Sequence, residues 1–280
     1  MDYRTLYEWG SDRLLSAGID EGRLDARLLL EAVCRTGKHD LLVHGDRVVL
    51  PEQEKTYADH IDQRRSRKPL QYILGYQEFM GLRFIVTPQV LIPRQDTEIL
   101  VEEVLRYRHD GQAILDMCTG SGCILLSVLN YSNNCRGIGV DSSPAALAVA
   151  ADNADHLNCT AEWLLSDLFT AVTGRYDIIV SNPPYIPRAV IDGLMPEVRD
   201  YEPMVALDGE EDGLAFYRRI VAQAGDFLLP EGRLFLEIGF DQAEAVTGMM
   251  VAAGYLDVTV TQDLSGLDRV IGGRIKGNID

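Results

Sequence analysis

Four consecutive residues, Asn182-Pro183-Pro184-Tyr185, follow Ser181 and the apolar run Tyr176 to Val180, and their types suit chemistry on a planar amino group. Two successive prolines carry no N–H donor and have a fixed φ, so the chain must leave a sheet here in a rigid, extended shape. The Asn182 side-chain amide and the Pro183 carbonyl then stand as two hydrogen-bond acceptors at a fixed separation, matched to the two donors of an NH2 group. Tyr185 supplies a flat aromatic wall beside whatever carries that group. An Asn-Pro step alone reads by default as a strand running into a solvent-facing turn. The second proline, the tyrosine and the β-branched run in front make the pattern more specific.

A second constellation lies upstream. Asp116-Met117-Cys118-Thr119-Gly120-Ser121-Gly122 closes one strand-like run, and the next such run ends at Asp141, 19 positions after Gly122. This order sets a glycine loop and an acid side by side at the carboxyl edge of an open α/β sheet, where ligands of such sheets bind. Gly120 and Gly122 let the backbone approach a ligand without Cβ interference, and Asp141 can accept from both hydroxyls of a ribose. The loop carries acids and no lysine or arginine, so a cofactor with a cationic sulfonium suits it better than one with phosphates. The full G-x-G-x-x-G pattern that wraps a pyrophosphate is absent. Ser166-Asp167-Leu168 closes a third strand, where Asp167 can accept from an exocyclic amine and Leu168 can cover a purine ring. A plain helix cap is the alternative for Asp167.

The elements needed to position these groups are legible downstream of residue 96. Strands are expected over 113–117, 137–140, 162–165, 176–180, 233–238, 256–261 and 270–275. Helices are expected over 99–107, 123–129, 144–156, 213–224 and 242–253. The alternation predicts a doubly wound α/β domain over 96–280. Residues 1–69 read as a small helical bundle: a helix over 3–17, a second capped by Asp20 with Leu24, Leu28 and Ala32 at i, i+4, i+8, and a third opening at Pro51. Between them, residues 70–95 read as a β-hairpin, with Gln71–Gly75 and Leu82–Val86 as its strands and Asp96 as the next N-cap.

Composition narrows the function. The chain has 280 residues, a net charge of −17 and five cysteines without paired Cys-x2-Cys spacing, so neither a disulfide framework nor a metal site is expected. Residues 1–95 carry 14 Lys+Arg against 14 Asp+Glu, and residues 96–280 carry 12 against 29. So acidic a domain repels a DNA backbone. No apolar run reaches membrane-spanning length and no signal-like segment opens the chain, which predicts a cytoplasmic protein without membrane contact.

Taken together, Asp116 to Gly122, Val140-Asp141, Ser166-Asp167 and Asn182 to Tyr185 resemble the class I S-adenosylmethionine-dependent methyltransferases acting on planar amino groups. Pro69 to Gly75, Phe79-Met80-Gly81, Val90 to Arg94 with Thr97-Glu98, Glu197 to Pro203, Leu236 to Gly239 and Asp268-Arg269-Val270 extend the likeness. This larger set resembles the peptide chain release factor N5-glutamine methyltransferase (PrmC/HemK) family. The resemblance implies a Rossmann-like class I methyltransferase fold with S-adenosyl-L-methionine as cofactor and S-adenosyl-L-homocysteine as product. It also implies a class I release factor as the protein substrate, modified on the glutamine of its Gly-Gly-Gln motif. The cofactor site maps onto Cys118, Thr119, Gly120, Ser121, Gly122, Asp141, Leu168 and Asn182, with Asp116 and Asp167 beside it. Asn182, Pro183, Pro184 and Tyr185 map onto the amide site, with Asn182, Pro183 and Tyr185 as the catalytic set. Cys118 stands where many relatives have glycine, which restricts that turn to backbone angles a side chain tolerates.

Two other readings share parts of the pattern. A DNA adenine-N6 methyltransferase uses Asn-Pro-Pro-Tyr as well, but no basic target-recognition region follows the acidic half. A non-catalytic S-adenosylmethionine-binding protein leaves the rigid acceptor pair without a purpose. For the first 69 residues, the expectation is a substrate-docking domain whose cluster Arg64, Arg65, Arg67 and Lys68 meets an acidic face of the release factor. Simple complementation of a helix dipole is the alternative.

Overall fold

The computed structural model describes residues 1–277, and the chain divides into two compact units. The first comprises Met1–Gly75 together with Met195–Tyr201; the second comprises Tyr76–Leu194 and the chain from Glu202 onward.

The first unit contains α1 (Tyr3–Ser16), α2 (Gly22–Cys34), the single turn α3 (Asp40–Val43), α4 (Pro51–Arg65) and α5 (Leu70–Leu74). Asp2 caps α1 by accepting from the Thr5 N–H at 2.7 Å, and Pro51 opens α4, where a missing N–H costs nothing. Asp20 does not cap α2: the N-cap is Glu21, and its side chain makes no capping bond. The buried side of α2 is Asp25, Ala26, Leu29, Leu30 and Cys34, whereas Leu24 is exposed, so the Leu24-Leu28-Ala32 stripe is not the face that packs. Gln71–Gly75 is likewise not a strand. Leu70, Ile73 and Leu74 pack into the unit's core with Leu6, Leu14, Leu29 and Ile61, and Gly75 ends α5 in the left-handed region at φ 80°. Tertiary packing overrides the β-rich composition of that run.

The basic run at the end of α4 is occupied internally. Arg64, with a side chain only 9% exposed, bonds Asp25 at 2.7 Å and Glu197 at 3.0 Å. Arg67 bonds Glu197 at 3.2 Å and the carbonyls of Ala17 and Gly18. Lys68 donates to Gln63 at 2.9 Å, and Arg65 pairs with Asp62 at 2.9 Å. Glu197 comes from α10 (Pro196–Arg199), so the run ties α4 to α2 and α10 and is not the free basic surface that docking requires.

The second unit opens with the hairpin β1 (Tyr76–Phe79) and β2 (Leu82–Ile85), antiparallel in register Tyr76 to Ile85. Met80 and Gly81 form its turn at φ 51° and 70°, the left-handed pair that a two-residue hairpin needs. Then follow α6 (Glu98–Tyr107), β3 (Ala113–Met117), α7 (Cys123–Asn130), β4 (Arg136–Asp141), α8 (Pro144–Leu157), β5 (Glu162–Leu165) and β6 (Tyr176–Ser181). The short α9 (Arg188–Ile191) precedes α10, and α11 (Ala215–Phe227), β7 (Leu228–Glu237), α12 (Ala243–Ala252), β8 (Leu256–Gln262) and β9 (Asp268–Arg274) complete it. Thr97, not Asp96, is the N-cap of α6, because Gln95–Thr97 forms a separate 3-10 turn.

The seven strands order as β5-β4-β3-β6-β7-β9-β8. The first five run parallel and β9 is antiparallel to both neighbours. Both faces of the sheet are covered, so β3 is buried along its whole length. Leu115 and Met117 join the core made with α11 and α12, while Ile114 joins the core made with α6, α7 and the hairpin residues Phe79 and Phe84. Strand order reverses between β3 and β6, and the crevice at that switch point is where such a sheet takes ligands. Among the described residues, no helix is long and apolar enough to cross a membrane.

Candidate active site

A cavity of about 100 Å³, open at its mouth, lies at the carboxyl ends of β3, β4 and β6. It brings together Cys118, Thr119, Gly120, Ser121, Asp141, Asp167, Leu168, Asn182 and Pro184. Four residues expected at the site, Asp116, Gly122, Pro183 and Tyr185, are not in its lining.

The glycine loop is held by its own backbone and by two acids. Thr119 N–H donates to the Val140 carbonyl at 2.9 Å and Gly122 N–H to the Thr119 carbonyl at 2.8 Å. Asp116 accepts from the Thr119 hydroxyl at 2.6 Å, and complete burial pushes its carboxyl up to about 7. Asp141 accepts from Gly120 N–H and Ser143 N–H, each at 2.9 Å; burial raises its carboxyl, and these N–H groups oppose that rise. Gly122 opens α7 at φ 77°, and a Cβ there would meet the Trp163 ring at 3.0 Å. Cys118 occupies the left-handed region at φ 61°, a conformation that costs a side-chain-bearing residue; burial also pushes its thiol up. Leu168 sits in the same region at φ 48°, where Ser166 donates to its carbonyl at 2.7 Å. Asp167 makes no helix-capping bond, and its carboxylate pairs with Arg219 at 2.8 Å.

The Asn-Pro-Pro-Tyr segment leaves β6 without further sheet pairing until Ile186. Ser181 donates to the Met117 carbonyl at 2.7 Å, fastening the ends of β6 and β3 together. Asn182 donates from Nδ2 to Thr97 Oγ1 at 3.3 Å, and both residues line the cavity. Tyr185 donates to Glu237 at 3.3 Å, and its carbonyl accepts from Gln242 at 2.9 Å. The loop carrying Gly209 and Gly213 crosses the Tyr185 backbone so closely that a Cβ on Gly213 would lie 2.4 Å from the Tyr185 carbonyl oxygen.

Several supporting residues are given no individual role by the sequence, although Arg94, Thr97 and Glu237 fall within its motif runs. Thr97, Glu237 and Gln242 stand behind Asn182 and Tyr185. Asn153 of α8 donates to the Ser121 carbonyl at 2.9 Å and to the Ile85 carbonyl at 3.1 Å, tying the glycine loop to the hairpin. Arg94 lines the cavity and pairs at 2.6 Å with Glu202, whose buried carboxyl is raised by desolvation against that pairing. Glu237 had a readable signal: like Asp141, it is an acid ending an apolar strand. Chemically, the cavity offers a carboxylate held by neutral donors, close-approaching backbone, and an oriented amide acceptor.

Comparison with known proteins agrees with this geometry. Residues 5–75 match the family described as PrmC N-terminal domain, and residues 94–193 match the methyltransferase small domain. Over 273 residues the chain is 44% identical to the release factor glutamine methyltransferase of Geobacter sulfurreducens, covering 97% of this chain and 96% of that protein. It is 42% identical to the release factor glutamine methyltransferase of Caulobacter vibrioides, covering 94% and 92%. A methyltransferase from Pyrococcus furiosus superposes with a TM-score of 0.54 at 19% identity over 71% of this chain and 90% of that one, which shows the shared fold. Identities at this level over nearly the whole length establish that the chain belongs to the release factor glutamine methyltransferase family.

Proposed function

We propose that this protein transfers a methyl group from S-adenosylmethionine to the side-chain amide nitrogen of the glutamine in the Gly-Gly-Gln motif of class I release factors. The observation that carries this reading is the shared cavity: Asp141 and the glycine loop lie in it together with Asn182, whose Nδ2 is turned away to Thr97. The cavity suits the cofactor. Among the described residues its one lining cation, Arg94, pairs with Glu202, and the Asp141 carboxyl accepts from backbone N–H groups. Asp141 would hold the ribose, Leu168 the purine face, and Cys118 to Ser121 the backbone of the bound molecule.

When bound, the cofactor supplies an electrophilic methyl on a sulfonium. Amide nitrogen is a poor nucleophile because its lone pair is delocalised into the carbonyl. Asn182 Oδ1 and the Pro183 carbonyl accept its two N–H bonds and leave the nitrogen facing the methyl. As the nitrogen gains positive charge those hydrogen bonds strengthen, which is transition-state stabilisation. The proton becomes acidic after transfer and leaves to water, so no side chain is needed as general base. A translation factor as substrate is consistent with a cytoplasmic reaction, and the acidity of residues 96–280 argues against DNA or an anionic membrane as partner.

The test is incubation of purified class I release factors with the enzyme and methyl-labelled cofactor, followed by mass spectrometry. One added methyl on the Gly-Gly-Gln glutamine is expected, with turnover lower by about 10² or more in Asn182→Ala. Label on another residue type, or on adenine in added DNA, would overturn the reading.

A further inference from the structure

Strand β2 has a neighbour on one edge only, since the hairpin is a two-stranded sheet of its own. With Met80 and Gly81 as its turn, Phe79 and Leu82 form the first hydrogen-bonded pair of the ladder. Alternation along an antiparallel ladder then makes Tyr76 and Ile85 a pair without mutual hydrogen bonds, so the Ile85 N–H and C=O face away from β1. Backbone groups on an open edge need another partner. Both find it in one side chain. Asn153 of α8, 0% exposed, accepts from the Ile85 N–H at 2.6 Å and donates to the Ile85 carbonyl at 3.1 Å. Its Nδ2 also donates to the Ser121 carbonyl at 2.9 Å. The acceptor and both donors of the amide are thereby occupied.

These three bonds connect two walls of the cavity, although Asn153 itself is not in the lining. Ser121 belongs to the glycine loop on one side. Ile85 leads into a stretch held by the buried Val86, Val90 and Ile92, and that stretch sends Gln89, Leu91, Pro93 and Arg94 into the lining. Just beyond it Thr97 accepts from Asn182 at 3.3 Å.

We propose that Asn153 is a positioning residue that joins the glycine loop to the hairpin and the wall after it, so that binding of the cofactor orders all three together. This rests on the reading of Cys118 to Ser121 as the loop that holds the cofactor. Asp141 fixes that loop at the Gly120 N–H and Asn153 fixes it at the Ser121 carbonyl. A ligand that immobilises the loop restrains Asn153 through Ser121, and Asn153 moves relative to β2 only by breaking both bonds to Ile85. No water lies within reach of a fully buried amide to replace them, so breaking them leaves buried polar groups unsatisfied. Order in the loop is thus transmitted to β2, whose residues do not line the cavity.

The test is hydrogen exchange read by mass spectrometry on the full-length protein, with and without saturating S-adenosylhomocysteine, beside calorimetry of the same ligand. In the wild type, binding should slow exchange over residues 118–124 and also over residues 82–86. In Asn153→Ala the ligand should still slow exchange over 118–124 but leave 82–86 unchanged, and affinity should fall about 10-fold. Asn153→Asp keeps the acceptor for the Ile85 N–H and loses both donors, so it should behave like Asn153→Ala. Exchange over 82–86 that slows equally in wild type and Asn153→Ala would overturn the proposal. So would wild-type exchange that slows over 118–124 and not over 82–86, a result that needs no variant to fold. A ligand that binds the wild type without slowing 118–124 removes the reading of the loop beneath the proposal.

Discussion

Asp141 and Cys118 sit on opposite sides of one loop and make opposite demands on it. Burial raises the Asp141 carboxyl and two N–H donors oppose that rise, and its remaining lone pairs are what a ribose would engage. Asp141→Ala should therefore weaken S-adenosylmethionine binding by about 2–4 kcal/mol, the range for charge-assisted hydrogen bonds lost from a site. Titration calorimetry on the folded variant checks this; unaltered affinity would mean that the ribose is held elsewhere. Cys118 stores strain, since φ 61° brings Cβ toward the neighbouring carbonyl. Cys118→Gly should relieve more than it adds in unfolded-chain entropy, a net gain of about 0.5–1 kcal/mol in urea unfolding. A loss of stability would show that the thiol's packing outweighs its backbone. Both residues were legible in the sequence because each belongs to a strand end and the loop directly after it. Thr97 and Glu237 fall in motif runs, and Glu237 is an acid ending an apolar strand, but their contacts with the site were not legible. Their partners Asn182 and Tyr185 lie 85 and 52 positions away, and only the fold brings them together.

At the scale of elements, legibility followed how much of an element's identity is local. Strands β3, β4 and β6 read clearly because parallel strands covered on both faces are nearly continuous apolar runs. Helix α5 did not, because Tyr72 and Ile73 favour extended structure and only packing of Leu70, Ile73 and Leu74 makes the run helical. The end of α4 shows the same limit for charge. Its arginines look like a solvated basic patch in sequence, but Arg64 meets Asp25 with side chains 9% and 7% exposed. Removing one partner of such a pair strands the other charge in the interior, so Arg64→Met should destabilise the protein by about 3–5 kcal/mol. Arg65, whose side chain is 43% exposed beside Asp62, is a surface pair. Arg65→Ala should change stability by no more than about 0.5 kcal/mol. Chemical denaturation of the two variants separates the readings, and equal small effects would return Arg64 to the surface role.

For the molecule as a whole, charge and burial act in the same direction on stability. The entire net charge of −17 resides in residues 96–280, so self-repulsion grows as carboxylates ionise. Asp116 and Glu237 add to this, because burial lifts both carboxyls to about 7 in the folded protein. Between the ordinary carboxylate range and about 7, the folded state binds protons that the unfolded state has released, so unfolding free energy falls as pH rises through that window. Stability from these two groups is fully present below their unfolded values and lost as pH climbs through their folded ones. Glu197 acts the other way. Burial raises its carboxyl, but its own backbone N–H, Arg64 and Arg67 together bring it below the ordinary value. Its contribution is present above the unfolded value and disappears in acid. The expected result is a melting temperature that peaks on the acidic side of neutrality and drops from about pH 6 to about pH 8, by about 2–4 °C per kcal/mol. Scanning calorimetry at low and high salt divides the causes: salt should recover the part due to surface repulsion, while the part due to Asp116 and Glu237 persists. Glu237→Gln should flatten that persisting slope. A melting temperature that climbs steadily from pH 6 to pH 8 would contradict the raised carboxyls of Asp116 and Glu237.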